Sequence, residues 1–261
     1  MLNATDITVH LGHKQILQGI NFRAEPGQLT SIVGPNGSGK TTLLRAVTGE
    51  AAFGGQVTLN DQDITRARPW QLAAIRGVLP QATPLSFPFT VFEVVRLGLT
   101  HGLDAGHDDL VPRALARVGL TGFEGRFFQE LSGGEQQRVQ LARVLVQVWH
   151  PVAEGEPRWL FLDEPVSALD IGHQLQVMQI ARDFADAGGG VVAVMHDLNL
   201  TAMFSDSVAL IAEGRLMAQG APEDVLCDAQ LSTAYRCAIR VNTKPGQGVF
   251  LLPHAASLAA E

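Results

Sequence analysis

The stretch GPNGSGKTTLLR, residues 34–45, follows the apolar run LTSIV and leads into the helix-patterned TTLLRAV. A buried strand that ends in a glycine-rich loop and passes straight into a helix confines a chain to layered α/β folds, with that helix covering the strand. Gly34, Gly39, Lys40 and Thr41 satisfy G-x-x-x-x-G-K-[ST], with Pro35, Asn36, Gly37 and Ser38 filling the loop and Thr42 following it. Glycines let successive backbone N–H groups turn inward around an anion, and the helix adds its positive N-terminal end. Lys40 has the reach for the β- and γ-phosphates of a nucleotide, and the Thr41 hydroxyl is placed to ligate Mg²⁺. A chance glycine-rich turn is the alternative. The strand before the loop and the helix after it weigh against that.

A phosphate loop needs a partner that holds magnesium and activates water, and RWLFLDEP supplies one. Its apolar strand ends in adjacent carboxylates: Asp163 suits the Mg²⁺ shell, and Glu164 suits the orientation and deprotonation of an attacking water. A third element, LSGGEQQR at residues 131–138, places Ser132, Gly133 and Gly134 at the start of a helix. A hydroxyl and bare N–H groups there form a second anion clamp. Without the other two elements, Ser132 with Glu135 would read as an ordinary capping box.

With 261 residues and 46% hydrophobic content, the chain can bury one substantial core, or one core with a satellite subdomain. The formal net charge of −7 argues against a nucleic-acid surface, because a phosphate footprint needs clustered Lys and Arg. A phosphate pocket needs only local charge. No apolar run approaches the length of about 18 residues that a membrane span takes, and MLNATDITVH carries no leader pattern, so the chain is expected in the cytoplasm. Cys227 and Cys237 are expected to be reduced and structural.

The first eighty or so residues alternate β-rich segments (DITVHL, INFRA, QLTSIV, GQVTLN, GVLPQ) with helical stretches at about 40–48 and 69–75. From about 83 to 130 the spacing turns helical in SFPFTVFEVVRLGL and DDLVPRALARVGL, with the loop THGLDAGHDD between them. A helical subdomain over 83–135 is therefore expected, inserted between α/β core segments 1–82 and 136–261. Alternation returns with WLFLD, HQLQVMQIARDFADA, VVAVM and SVALIA, and a hairpin is expected around 239–252.

The run GPNGSGKTT, LSGGEQQRV, LFLDEP, SALD and VMHD, in that order, resembles the nucleotide-binding subunit of an ATP-binding-cassette transporter over essentially the whole chain. The resemblance implies a P-loop nucleoside-triphosphatase fold with an inserted helical subdomain, ATP and Mg²⁺ as ligands, and a head-to-tail homodimer sandwiching two ATP molecules. It makes Gln81, in VLPQ, a residue that touches Mg²⁺ and water, Asp170, in SALD, one that crosses to the partner, and His196, in VMHD, one that contacts the γ-phosphate. The family's adenine-stacking aromatic has no counterpart in ITVHLGHKQIL. Either Leu11 packs on the base, or His10 or His13 substitutes, and base stacking is weaker than with tyrosine.

One cassette per chain with no fused span and LPQ followed by SFPFTVFEVVRLGLTHG resemble the importer branch serving siderophores, haem and vitamin B12, and the long connection VWHPVAEGEPRW together with DEPVSALDIGHQ resembles its haem-import ATPases. The resemblance implies a subunit peripheral to the cytoplasmic face of the inner membrane. Its partners would be a transmembrane permease dimer, reached through the stretch from Gln81 to Arg96, and indirectly a haem-binding protein outside. Siderophore and cobalamin import remain alternatives, as does, outside transport, a cytosolic iron-sulphur-assembly ATPase. His101, His107 and His150 lie in a polar loop or before a proline and are not expected to ligate haem.

Overall fold

The computed structural model describes residues 1–81, 87–100, 106–244, 246–249 and 251–253. Ser86 of the SFPFTV stretch and His101 lie outside them. The chain opens with β1 (Leu2–Leu11), β2 (Lys14–Ala24), β3 (Leu29–Val33), α1 (Lys40–Val47), β4 (Gly54–Leu59), β5 (Gln62–Asp63), α2 (Pro69–Ile75) and β6 (Arg76–Leu79). The middle holds α3 (Val91–Arg96), which runs into a 3₁₀ turn at Leu97–Thr100, then α4 (Leu110–Arg117) and α5 (Gly133–Gln147). The remainder comprises β7 (Val152–Ala153), β8 (Glu156–Pro157), β9 (Trp159–Asp163), α6 (Ile171–Asp186), β10 (Gly190–Val194), α7 (Leu198–Phe204), β11 (Ser207–Ala212), β12 (Arg215–Gly220), α8 (Pro222–Val225) and α9 (Asp228–Tyr235).

Two sheets sandwich α1. The larger has the order β12-β11-β3-β10-β9-β6, parallel except for β12, and its strands β3, β9 and β10 are buried at every residue. That burial explains why LTSIV and WLFLD read as continuous apolar runs. The smaller, antiparallel sheet has the order β2-β1-β4-β5. Its alternating inner residues Leu2, Ala4, Leu17, Ile20 and Phe22 join Leu43, Leu44 and Val47 of α1 in one core. In the larger sheet the sequence leaves each parallel strand at the same edge, so the loops after β3, β6, β9 and β10 converge there. Open parallel sheets bind ligands at that edge.

A second core joins α3, α4 and α5 to Leu79, Leu160 and Leu162 of the sheet. Gly98 lets the 3₁₀ turn lie directly on α5, since a Cβ there would come within 2.0 Å of the Arg143 carbonyl oxygen. The boundary expected at 135/136 falls inside the first turn of α5. Thr90 and Glu93 form the capping box that starts α3, so Phe87, Pro88 and Phe89 precede the helix and do not belong to it.

The C-terminal expectation needs correction. No strand occurs among the described residues of 239–252; α8 and α9 precede that stretch, and it is irregular. Its backbone finds partners on α9 rather than on a second strand: Ile239 N–H donates to Ser232 Oγ at 3.0 Å, and Val241 N–H donates to Asp228 Oδ1 at 2.7 Å. Side-chain acceptors of this kind replace a ladder. Within the long 149–158 connection, β7 and β8 pair through Glu154 and Gly155, both at positive φ, in a tight hairpin. Cys227 and Cys237 are free thiols.

Candidate functional site

The loop after β3 is shaped by its glycines. Gly34 has φ 148°, and a Cβ there would lie 1.9 Å from the Ile211 carbonyl oxygen, so no other residue could start the loop this close to β11. Gly39, at φ 106°, is the N-cap residue of α1. Lys40 Nζ donates to the carbonyls of Gly34 at 2.9 Å and Pro35 at 3.0 Å, which folds the ammonium over the loop. Burial lowers the Lys40 pKa, and the charges of Glu164 and Asp163 oppose that shift. Ser38 Oγ is buried with no hydrogen-bond partner among the described residues. A buried orphan hydroxyl in a loop that also holds an ammonium is an arrangement an anion would complete.

Thr41, on the first turn of α1, donates from Oγ1 to Asp163 Oδ1 at 3.0 Å. Asp163 ends β9 and is buried, and that burial raises its pKa, with the Thr41 hydrogen bond opposing. Glu164 follows in the left-handed region at φ 52°, its N–H donating to the Val194 carbonyl at 3.1 Å. Both of its carboxylate oxygens are engaged: Oε1 lies 2.6 Å from His196 Nε2, past β10, and Oε2 accepts from Gln81 Nε2 at 2.9 Å, past β6. Four strand ends thus bring Lys40, Asp163, Gln81, Glu164 and His196 together from distant points in the sequence.

A cavity of about 560 Å³ lies over this cluster, and its lining includes Asn36, Gly37, Gly39, Lys40, Thr41, Thr42, Gln81, Glu164 and His196. The residues fit Mg²⁺. That ion takes one or two carboxylates plus phosphate and water oxygens rather than a protein cage, and Thr41 and Asp163 already share a hydrogen bond at the cavity edge. Among the described residues no group of three or more His, Cys, Asp and Glu could form such a cage.

Leu11, Lys14 and Ile16 line the outer end of the cavity, and no aromatic side chain does so among the described residues. Leu11 is 62% exposed. Neither His10 nor His13 belongs to the lining. Lys14 and Ile16 were not anticipated; reading HLGHK as a two-residue hairpin turn, which pairs Leu11 with Lys14, would have found Lys14.

Ser132, Gly133, Gly134 and Asp170 do not reach this cavity within one chain. Ser132 caps α5, accepting from Glu135 N–H, while Glu135 reaches back to the Ser132 backbone. Ser132 and Gly133 are exposed. Asp170 caps α6, its Oδ1 accepting from His173 N–H at 3.0 Å, and His173 Nδ1 lies 2.9 Å from each carboxylate oxygen. These bonds lower the Asp170 pKa.

A family model described as "ABC transporter" matches residues 17–167. The "Hemin import ATP-binding protein HmuV" of Jannaschia sp. (strain CCS1) is 62% identical over 257 residues, covering 98% of this chain and 95% of that protein. The protein of the same name from Roseobacter denitrificans (strain ATCC 33942 / OCh 114) is 61% identical, covering 98% of each. Among solved structures, the dimeric post-hydrolysis state of the ATP-binding cassette MJ0796 bound to ADP and Pi has a TM-score of 0.73 at 25% identity, covering 85% of this chain and 99% of that one. A bacterial Atm1-family ABC exporter with ATP bound has a TM-score of 0.73 at 27% identity, over 86% of this chain and 39% of that one. With the match to the family model spanning more than half its length and near-full-length relatives above 60% identity, the chain belongs to the ABC transporter family.

Proposed function

We propose that this chain is the ATP-hydrolysing subunit of an importer that moves haem across the cytoplasmic membrane. The observation that carries the enzymatic half is Glu164, both of whose carboxylate oxygens are held, by His196 and Gln81, at a cavity lined by Lys40 and Thr41. The backbone of residues 34–42 and the Lys40 ammonium bind the nucleotide phosphates, with Ser38 Oγ adding a donor. Thr41, Asp163 and Gln81 would hold Mg²⁺, which when bound neutralises charge on the phosphates. Glu164 orients the attacking water and takes its proton, and His196 and Gln81 keep its carboxylate aimed.

Ser132, Gly133, Gly134 and Asp170 act in trans. Ser132, Gly133 and Asp170 are exposed and, like Gly134, lie outside the cavity of their own chain, which leaves this face free to close on the phosphate loop of a second copy, so the working unit is a homodimer with two composite sites. Mechanical output passes to a permease dimer through residues 81–96. There Phe87 is 68% exposed, and a cavity of about 380 Å³ opens beside Phe89, Glu93, Arg96 and Leu97. Phe89 and Phe92 pack partly on the core, so Phe87 is the foremost contact. Among the described residues no helix is long and apolar enough to cross a membrane. Cargo would be delivered to the permease by a haem-binding protein outside, and the ATPase need not touch it.

The cargo assignment rests on relatives covering 98% of this chain whose names specify hemin import. Deleting the chain in its host should abolish growth on haem as sole iron source and leave siderophore use and cobalamin uptake intact. Growth on haem that survives, together with loss of either of the others, would reassign the cargo.

A further inference from the structure

Glu164 is one of eight described non-glycine residues at positive φ. Left-handed backbone at such a residue is strained and persists only where its surroundings over-determine it. Here the constraint comes from three segments. Val194 accepts the Glu164 N–H, while the Glu164 carbonyl accepts from Ser167 N–H at 3.4 Å, from Ser167 Oγ at 3.2 Å and from Gln137 Nε2 at 3.1 Å. Ser167 is three residues away and moves with Glu164. Gln137 is not local: it stands on α5, five residues after the cap Ser132, about a turn and a half along the helix. The orientation of its amide is fixed by chemistry, since the flipped form would set its oxygen against the Glu164 carbonyl. Gln137 Oε1 is buried without a partner among the described residues, so the amide is retained at a cost and its one described hydrogen bond runs to Glu164. Gln137 also lines, with Gln81 and Ser167, a cavity of about 400 Å³.

We propose that Gln137 is a positioning residue for Glu164: its amide pins the strained carbonyl, fixes the direction of the carboxylate, and ties α5 of each chain to that chain's own base. The proposal rests on the reading of Glu164 as base.

Gln137→Met, matched in length and lacking the donor, and Gln137→Glu, matched in shape and bearing an acceptor, test this in the full chain. ATP hydrolysis and equilibrium binding of ATP are measured for each, with Glu164→Gln alongside. Turnover at saturating ATP should fall about 10-fold or more, on the scale that misplacing a catalytic group costs, while ATP affinity stays within about 2-fold of wild type. Wild-type turnover in a variant that binds ATP normally would overturn the proposal. Loss of ATP binding in both variants would assign Gln137 to folding and overturn it too. Should Glu164→Gln hydrolyse ATP like wild type, the base assignment itself fails; if Glu164→Gln is inactive and both Gln137 variants are unimpaired, only the Gln137 proposal fails.

Discussion

Glu164→Gln is expected to cut ATP turnover by about 10² or more, the scale of general-base catalysis, while leaving ATP bound and the dimer closed on it. The amide keeps the shape of the side chain and can still meet Gln81 and His196, which lie 2.9 and 2.6 Å from the carboxylate oxygens. What it loses is the capacity to accept a proton. The neighbouring carboxylate does not substitute, because Asp163 is buried and hydrogen-bonded to Thr41. A single-turnover measurement separates the steps: with ATP in place and no phosphate released, the variant should elute as a dimer that wild type forms only transiently. Undiminished phosphate release would remove Glu164 from the chemistry.

Lys40→Ala should fail earlier, at binding. The ammonium now donates to the carbonyls of Gly34 and Pro35, the two residues that open the loop, and the same loop carries a buried Ser38 hydroxyl with no hydrogen-bond partner among the described residues. A hydrogen bond to a charged group contributes about 1.5–3 kcal/mol, so losing the contact to phosphate should weaken ATP binding by roughly 10- to 100-fold. Equilibrium binding of a fluorescent ATP analogue reads this directly. The two variants should therefore differ in kind, Glu164→Gln retaining nucleotide and Lys40→Ala losing it. Unchanged affinity in Lys40→Ala would count against the loop as the phosphate site.

Features encoded over a few adjacent residues were legible in the sequence. The glycine loop between β3 and α1 was, because glycine spacing, a lysine and a flanking strand and helix all lie within residues 29–47. The strand ending in Asp163 and Glu164 was, because burial on both faces leaves an unbroken apolar run. The helices α1, α2 and α6 fell where apolar spacing put them. Features decided by long-range pairing were not legible. Gln137 reads as one more polar position on a helix until the fold sets its amide against Glu164. Lys14 and Ile16 reach the cavity only because β1 and β2 turn tightly at Gly12 and His13. The segment after 238 has strand-like composition, but no strand occurs among its described residues, and Ser232 and Asp228 of α9 take the N–H groups of Ile239 and Val241. The approach of Gln81, Glu164 and His196 could be inferred only through family resemblance, because β6, β9 and β10 become neighbours in the sheet alone.

ATP-driven transfer can be followed in vesicles that contain the chain and a permease, with haem supplied on the face opposite the chain. Labelled haem is followed across the bilayer with and without ATP on the side that the chain occupies. Haem should cross only when ATP and the wild-type chain are both present, and the Glu164→Gln chain should bring transfer to the level seen without nucleotide. Haem transfer at the same rate with Glu164→Gln, or ATP-driven passage of a siderophore or cobalamin with haem left behind, would contradict the account.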